Sequence, residues 1–234
     1  MQDEYSISVI VPVYNESRLL ETSISYINDF LIRNFKDSEI IIVESGSTDG
    51  SLEICDKLAE NNLHIKVIHE GARKGFGSSL KLGYKNATKD LVWLITLDLP
   101  FPLESVLVAL PLFSKYDCVI SYRSKDSRKI HRKIQSFIYN TIIKLSLGLK
   151  VKHVNSAFKV FKREIIQNMN LISNGWFIDA EILYRLKEQN VSYIEIPVPL
   201  TDRTEGQPSV KLTTFLNVLK ELAHFIKNKS DSFK

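Results

Sequence analysis

Short apolar runs alternate with longer amphipathic stretches through the first half of the chain. Five runs rich in β-branched residues predict buried strands, over Ser6–Tyr14, Glu39–Val43, His64–His69, Leu91–Asp98 and Tyr116–Ser121. The stretches between them repeat apolar residues at helical spacing, as Leu20, Ile24 and Ile27 do. Strands that alternate with helices in this way are typical of βαβ units. The sequence therefore predicts an α/β fold, with a largely parallel central sheet flanked by helices.

The pattern changes beyond Arg123. Four further elements are predicted there: a basic amphipathic helix over about 128–147, an extended piece over Ala157–Phe161, a helix over Asp179–Gln189 and a strand over Val191–Val198. A polar loop, Thr201–Pro208, precedes a C-terminal amphipathic helix. Because no repeat, low-complexity tract or linker interrupts the chain, we expect one domain over residues 1–234.

Composition indicates a soluble globular protein, with 44% hydrophobic and 25% charged residues. No apolar stretch is long enough to span a bilayer, and the start, MQDEYSIS, lacks the basic and apolar parts of a signal peptide. Cys55 and Cys118 have no metal-ligand spacing and are expected to be buried free thiols in a reducing compartment. We therefore expect a cytoplasmic location.

Positive charge is concentrated in one segment. Residues 123–163 contain twelve Lys or Arg and one acid, Asp126, which gives +11 and leaves −7 for the rest of a chain whose net charge is +4. Such a segment implies an anionic partner, either a phosphate, a lipid headgroup or a nucleic acid. We do not expect nucleic acid, because no RNA- or DNA-binding motif accompanies the basic residues.

Polar or glycine-rich residues follow each of the first four predicted strands. Parallel strands bring Glu16, Glu44, the Gly71–Ser79 loop and Asp98 to one sheet edge, where ligands bind. Glycines there let backbone N–H groups approach phosphate oxygens. Each feature also has a structural interpretation: Glu44 can cap a helix, the glycines can serve close packing, and Asp98 can stabilise a turn. Together they favour nucleotide binding, although neither a P-loop nor a dinucleotide fingerprint is present.

The strand ends also resemble a known family. Val9–Glu16 (VIVPVYNE) resembles the opening strand of family 2 glycosyltransferases of the GT-A fold, and Glu44–Ser51 resembles their D-D-G-S-x-D-G turn. Their glycine loop and their D-x-D-L-Q-x-P motif are matched by Gly75–Gly83 and Thr96–Pro102. The dolichol-phosphate mannose/glucose synthase branch is matched by Ser121–Arg123, Leu147–Leu149, Asn155–Lys159, Glu195–Val198 and Asp202–Gly206. The resemblance covers about residues 6–211.

This resemblance implies transfer of a hexose from a nucleotide-diphosphate sugar, of the GDP-mannose or UDP-glucose type, to a polyprenyl or dolichyl phosphate. The implied nucleoside contacts are Pro12, Tyr14, Glu16, Ile42 and Glu44. Asp98 would face the diphosphate or its metal, and Arg203 with Lys211 would neutralise the leaving group. Arg123 and Arg132 would meet the acceptor phosphate. The nucleotide-binding half would span about residues 6–122 and the acceptor- and membrane-facing half about 123–228.

The chain departs from the family pattern at the metal site. Thr96 replaces the first Asp of D-x-D, and Pro100 replaces the Gln that contacts the metal. Mg²⁺ or Mn²⁺ can bind to one carboxylate together with substrate phosphates and waters, so Asp98 alone can suffice at reduced affinity. Loss of the metal, and with it a catalytically silent nucleotide-sugar-binding subunit, is the alternative.

The chemistry of the acceptor separates two further hypotheses. A lipid phosphate is already anionic and can attack the anomeric carbon with inversion, so it needs no general base. A glycan hydroxyl needs one, and Asp179 or Glu181 would then be essential. Both acids can equally be first-turn residues that the helix dipole favours.

The basic helix fits a lipid acceptor. Its apolar residues form one stripe, made of Ile130, Ile134, Phe137, Ile138, Thr141, Ile142 and Leu145. Such a helix can lie on an anionic membrane surface or can pack against its own core. The sequence leaves both arrangements open. A lipid acceptor would place the protein peripherally at the cytosolic membrane face, with a membrane-embedded subunit as a candidate partner.

Overall fold

A computed structural model describes residues 5–124, 130–199 and 212–228, without the side chains of residues 131–132 and 212–216. Its strands are β1 (Ile7–Val13), β2 (Ser38–Glu44), β3 (Ile65–His69), β4 (Leu91–Leu94), β5 (Cys118–Arg123), β6 (Lys159–Lys162) and β7 (Tyr193–Val198). Its α-helices are α1 (Ser17–Asn34), α2 (Ser51–Glu60), α3 (Phe76–Asn86), α4 (Ser105–Ala109), α5 (Ile130–Leu147), α6 (Arg163–Gln167), α7 (Ile178–Glu188) and α8 (Leu212–Asn228). A 3-10 helix spans Leu110–Ser114.

The seven strands form one sheet in the order β3-β2-β1-β4-β6-β5-β7. All neighbouring pairs are parallel except those of β6, which runs antiparallel to both β4 and β5. The carboxyl ends of β1–β5 and β7 therefore lie at one edge, which we call the C-terminal edge. Because β6 is reversed, its first residue, Lys159, also lies there. This confirms the predicted largely parallel sheet.

The structure differs from the sequence prediction at β4. The predicted strand runs to Asp98, but the observed strand ends at Leu94. Residues 96–99 form a turn in which the Leu99 N–H donates to the Thr96 carbonyl at 3.0 Å. Leu99 has φ 43°, outside the extended region. Asp98 therefore stands on a tight turn beyond the strand, and α4, the 3-10 helix and α6 were not predicted.

Apolar side chains form two core layers, one on each face of the sheet. In β1, Val9 and Val11 enter one layer with α1, while Ile10 enters the other with α3 and α7. Cys55 and Cys118 are buried and free, as predicted, and burial raises the pKa of the Cys55 thiol to about 12. Among the described helices, none combines the length and the apolar content needed to cross a bilayer.

Candidate active site at the C-terminal edge

The loops after β1 and β2 are interlocked by side-chain hydrogen bonds. The Asn15 N–H donates to Ser47 Oγ at 3.0 Å, and the Thr48 N–H donates to Asn15 Oδ1 at 2.8 Å. The backbone N–H of Glu16 donates to Ser51 Oγ at 3.0 Å. These contacts fix the shape of what we call the donor rim, the loops that follow β1 to β4 at the C-terminal edge. On this rim Pro12 and Tyr14 are half-buried and Glu16 is exposed.

Glu44 lies inside this rim. Its Oε1 accepts the Ser47 N–H at 2.5 Å and its Oε2 lies 3.2 Å from His69 Nδ1, with none of the residue exposed. Burial alone would raise the pKa of this carboxyl, but hydrogen bonds from Ser47 and His69 outweigh it and lower the pKa. Glu44 therefore stabilises the turn after β2 as an ionised carboxylate.

Ile42 is also fully buried and packs in the core layer with Val11. Neither Ile42 nor Glu44 has surface to offer a ligand in this conformation. A direct nucleoside contact from either would require the turn to rearrange.

A second carboxylate, Glu70, connects the turn after β2 and the start of α3 to the end of β3. This residue was not identified from the sequence. Its oxygens accept the hydroxyls of Ser45 at 2.6 Å, Ser78 at 2.7 Å and Ser79 at 2.7 Å. Ser45 follows β2, Glu70 follows β3, and both other serines lie in the first turn of α3. Glu70 thus ties the start of α3 to the rim, which no local sequence pattern shows.

Arg73 in the glycine loop reaches back to β1. Its guanidinium lies 4.2 Å from the ring centroid of Tyr14, which is cation–π geometry. This contact places a cation beside the implied nucleoside residues. The sequence motif marked the loop by its glycines and gave no signal for Arg73.

Gly75 and Gly77 of this loop serve close packing. A Cβ at Gly77 would lie 2.8 Å from the Ser173 carbonyl oxygen, too close for a side chain. The Ser78 N–H donates to the Asn174 carbonyl at 3.1 Å, and the Phe76 and Trp176 rings stack with centroids 4.6 Å apart. The glycine loop therefore packs against residues 172–177.

Asp98 is half-buried at the end of the β4 turn. Its Oδ1 accepts the Thr96 hydroxyl at 2.6 Å, and the preceding Leu97 carbonyl accepts the Ser23 hydroxyl at 2.7 Å. The described residues contain no group of three His, Cys, Asp or Glu side chains placed to hold a metal ion. One carboxylate fits Mg²⁺ or Mn²⁺ when diphosphate oxygens and waters supply the other ligands.

Arg123 ends β5 at the same edge, and its backbone N–H donates to His153 Nδ1 at 3.3 Å. His153 lines a cavity of about 180 Å³ whose other lining residues are Lys133, Ser136, Phe137, Asn140, Thr141, Lys144 and Lys152. The Lys152 ammonium lies 3.4 Å from the ring centroid of Tyr122. The basic segment thus builds a cavity with three lysines beside a predicted acceptor residue.

The apolar stripe of α5 faces outward along most of its length. Phe137 is 71% exposed and Leu145 is 79% exposed, and Ile130, Ile134 and Ile138 are exposed as well. The helix packs on the core through Ile143 and Leu147, and Ile142 of the stripe packs there as well. Of the two arrangements that the sequence leaves open, core packing accounts for Ile142 and not for the exposed side chains of the stripe.

Asp179 and Glu181, the two candidate general bases, differ in burial. Glu181 is fully buried, and its oxygens accept the backbone N–H groups of Ile172 and Ser173, both at 2.8 Å. It holds a loop and has no surface for a substrate. Asp179 Oδ1 lies 2.9 Å from the ammonium of Lys159, and its side chain is 14% exposed.

Three predicted site residues fall outside this description. Arg203 and Lys211 lie beyond the described residues, and the side chain of Arg132 is not described. Their assignments remain predictions from the resemblance.

Comparison with known proteins decides the family. The sequence model of glycosyl transferase family 2 matches residues 8–169, well over half of the chain. The chain belongs to this family. This confirms the family that the resemblance indicated.

Two curated relatives lie in the branch that the motifs indicated. The chain is 28% identical over 203 residues to glycosyltransferase AglD of Haloferax volcanii, covering 82% of this chain and 32% of that protein. It is 26% identical over 230 residues to a dolichol-phosphate mannosyltransferase of Pyrococcus furiosus, covering 94% of this chain and 64% of that protein. The matched region thus spans about a third and just under two thirds of these relatives.

A solved structure supports the fold. Glucosyl-3-phosphoglycerate synthase of Mycobacterium tuberculosis, crystallised with Mg²⁺ and uridine diphosphate, superimposes with a TM-score of 0.70 at 19% identity, covering 94% of this chain and 77% of that one. This member of glycosyl transferase family 2 therefore has the expected GT-A fold.

Proposed function

We propose that this glycosyltransferase transfers a hexose from a nucleotide-diphosphate sugar to a polyprenyl or dolichyl phosphate, with inversion at the anomeric carbon. One observation carries the proposal: the lysine-lined cavity at the C-terminal edge adjoins the outward apolar face of α5. An acceptor that is anionic at one end and a long hydrocarbon at the other matches both surfaces. The relative named as a dolichol-phosphate mannosyltransferase supports the same class of acceptor.

The donor side is the rim formed by β1 to β4. Pro12, Tyr14 and Glu16 line it and are the proposed nucleoside contacts. Glu44 shapes the turn beside them, and Arg73 adds a cation next to Tyr14. Asp98 would hold Mg²⁺ or Mn²⁺, which when bound neutralises charge on the diphosphate.

The acceptor side is the basic cavity. Lys133, Lys144 and Lys152 can neutralise a phosphate monoester, and Ser136 and Asn140 can donate hydrogen bonds to it. Arg123 and Arg132 are the proposed additional phosphate contacts. The exposed Phe137 ring at the cavity wall would contact the first part of the hydrocarbon chain.

Inversion requires no general base with this acceptor. An oxygen of the lipid phosphate attacks the anomeric carbon from the face opposite the leaving group. As that bond forms, the bond from the anomeric carbon to the diphosphate oxygen breaks. Arg203 and Lys211 are proposed to stabilise the developing charge on the departing nucleoside diphosphate. The full burial of Glu181 supports a mechanism without a base at that position.

The same acceptor implies a peripheral position at the cytosolic face of an anionic membrane. The outward apolar residues of α5 would enter the interface, and the lysines would meet anionic headgroups. A membrane-embedded subunit that delivers the acceptor lipid is part of the proposal.

Transfer to a hydroxyl is the second candidate, and the partial exposure of Asp179 favours it. A catalytically silent nucleotide-sugar-binding subunit is the third, and Thr96 with Pro100 favours it. The three candidates predict different outcomes for the purified chain: transfer to a lipid phosphate, transfer to a hydroxyl acceptor, or nucleotide-sugar binding without transfer.

The test is an incubation of the protein with labelled GDP-mannose or UDP-glucose, a short polyprenyl phosphate and Mn²⁺ or Mg²⁺. The proposal predicts label in a lipid-extractable product from one donor, with the β-anomer formed from an α-donor. Retained configuration, or binding of GDP or UDP without transfer under either metal, would overturn it.

A further inference from the structure

One side of the basic cavity is built by a segment that lies outside the helices and strands. It is formed by residues 152–156, which we call the cavity wall, and its Lys152 and His153 line the cavity. The Val154 N–H donates to Asn140 Oδ1 at 2.7 Å and so attaches the cavity wall to α5. A phosphate bound in the cavity would meet charges whose positions depend on this segment.

The last residue of the cavity wall, Ser156, joins it to β5. The Ser121 N–H donates to Ser156 Oγ at 2.9 Å, and the two hydroxyl oxygens are 2.8 Å apart. The Ser156 hydroxyl donates to the Phe158 carbonyl at 2.8 Å, and both serines are buried. Arg123, the proposed phosphate contact on β5, comes two residues after Ser121. Ser156 therefore fixes the cavity wall relative to the strand end that carries Arg123.

The Ser156 carbonyl is held by Lys159, the first residue of β6. The Lys159 ammonium donates to this carbonyl and lies 2.9 Å from Asp179 Oδ1, in the first turn of α7. The Lys159 side chain is only 1% exposed. Because a buried ammonium requires a counter-ion and hydrogen-bond acceptors, these two contacts define where it lies. They tie the cavity wall to α7.

Asp179 is engaged by this lysine through a buried oxygen. Its Oδ1 atom is buried, although 14% of the side chain is exposed. A base that deprotonates an acceptor hydroxyl would have to act from a carboxylate that already has a cationic partner. A lipid phosphate asks for no such base, so the pair can serve position alone.

We infer that Lys159 is a positioning residue for the acceptor phosphate and that Asp179 is its counter-ion rather than a general base. This inference rests on the proposed function, in which the basic cavity binds that phosphate. The described lining residues of the cavity include neither of them. Lys159 acts by holding the Ser156 carbonyl, and Ser156 in turn sets the distance between the cavity wall and the end of β5.

Positioning of this kind affects the acceptor and leaves the chemical step intact. Lys159→Met should raise the KM for a short polyprenyl phosphate by about tenfold, because the phosphate loses well-placed charges. The kcat should stay within about threefold, since an interaction common to the ground state and the transition state changes KM alone. The Kd for GDP or UDP should change by less than about twofold, because the proposed nucleoside contacts lie on the donor rim.

The experiment compares Lys159→Met, Lys159→Arg, Asp179→Asn and the Lys159→Met/Asp179→Asn double variant in the full chain. Lys159→Arg keeps the charge and should stay within about threefold of the original acceptor KM. Asp179→Asn should raise that KM with kcat retained, whereas loss of a general base would lower kcat by about 10²–10⁴-fold. The double variant should be no worse than Lys159→Met, because both changes break one pair.

Lys162→Met is the matched control. Lys162 is the last residue of β6, at the opposite edge of the sheet, and its ammonium lies 2.8 Å from Asp117 Oδ1. The variant removes an ion pair of the same kind from the same strand, and we expect no change in the acceptor KM.

A second readout does not depend on activity. Binding of inorganic phosphate is followed by ³¹P NMR, and Lys144→Ala identifies the binding that belongs to the cavity. Lys159→Met should raise the Kd for phosphate by about tenfold, and Lys162→Met should leave it unchanged. Ser156→Ala keeps both charges of the pair and should also raise this Kd, which covers the case in which Lys159→Met does not fold.

The proposed function and this inference fail in different ways. If no donor transfers a sugar to the lipid phosphate, the proposed function fails, and phosphate binding still tests the positioning. Four results would overturn the inference itself. They are a hundredfold loss of kcat in Asp179→Asn at unchanged acceptor KM, a phosphate Kd unaffected by Ser156→Ala, an equal loss in Lys162→Met, and no phosphate binding that depends on Lys144.

Discussion

The imidazole of His69 lies between two carboxylates, with Nδ1 3.2 Å from Glu44 Oε2 and Nε2 2.9 Å from Asp56 Oδ1. Burial alone would lower the pKa of His69, but the hydrogen bonds and charges of Asp56 and Glu44 outweigh it and raise the pKa. The buried end of this bridge is the carboxylate that shapes the donor rim. The bridge therefore links the shape of the rim to pH.

This bridge predicts a pH-dependent stability. Because the pKa of His69 is raised in the folded state, its contribution is fully present below the unfolded value of 6.5 and is lost as pH rises through the folded value. His69→Gln should lower the free energy of unfolding by up to about 1 kcal/mol at pH 5.5, since the ring is partly exposed. The difference should disappear by pH 9.

Urea unfolding at pH 5.5, 7 and 9 checks this. His64→Gln is the matched control, because its ring contacts the Ser38 carbonyl rather than a carboxylate. A deficit for His69→Gln that is the same at all three pH values would contradict the bridge.

The metal site gives a gain-of-function prediction. Thr96→Asp places a second carboxylate beside Asp98 and restores the D-x-D pattern of the family. In the presence of UDP or GDP, the affinity for Mn²⁺ should rise by about tenfold, since charge count sets the affinity of hard-cation sites. Titration calorimetry measures it, with Thr96→Asn as the uncharged control. Equal Mn²⁺ affinity in both variants would argue against a metal at Asp98.

The outward face of α5 gives a prediction about membranes. Phe137→Ser should reduce flotation with vesicles that contain phosphatidylserine by about tenfold, because it removes a large apolar side chain from the interface. The melting temperature should not change, since Phe137 is 71% exposed. Leu63→Ser, at a side chain that is 96% exposed before β3, is the control. Equal loss in both variants would point to non-specific hydrophobicity.

Charge at the start of α5 tests the same membrane contact separately. Reversal of Arg132 and Lys133 to Glu should abolish the preference for anionic over neutral vesicles. Binding that is indifferent to this reversal would remove the electrostatic part of the proposal.

Glu39 gives a prediction about stability alone. Its carboxylate accepts hydrogen bonds from Ser8, Thr88 and Lys66, and these outweigh the effect of burial and lower its pKa to about 2. Its stabilisation is present above pH 4.5 and is lost as pH falls through about 2. Glu39→Ala should cost about 1–3 kcal/mol at pH 7, because it leaves the buried Ser8 hydroxyl without its carboxylate acceptor.

Chemical denaturation at pH 7 and pH 2 measures this effect. The exposed Glu21→Ala on α1 is the control. A cost at pH 2 as large as that at pH 7 would contradict the assignment.

Local patterns predicted the elements whose own residues carry a clear periodicity. Strands β1 to β4 and the apolar stripe of α5 follow from periodicity, because a strand buried on both faces and an amphipathic helix leave direct signatures. The direction in which that stripe faces does not follow from it. The sequence also predicted an extended piece at Ala157–Phe161, but nothing local showed that β6 pairs antiparallel between β4 and β5.

The site residues also divide into those that the sequence predicted and those that only the fold shows. The sequence marked Asp98 and Glu44 by their places after strands, but burial decided that Glu44 stabilises the rim from inside. Glu70 was missed because it holds groups from separate loops. Only the folded chain brings the three serines around Glu70.

A paired acceptor assay distinguishes a lipid phosphate from a lipid alcohol as the acceptor. The donor that proves active is offered with a short polyprenyl phosphate or with the polyprenol of the same chain length, at equal concentration in the same vesicles. We expect labelled lipid from the phosphate and none from the alcohol. Labelled product from the alcohol, or none from the phosphate with a donor active on another acceptor, would contradict it.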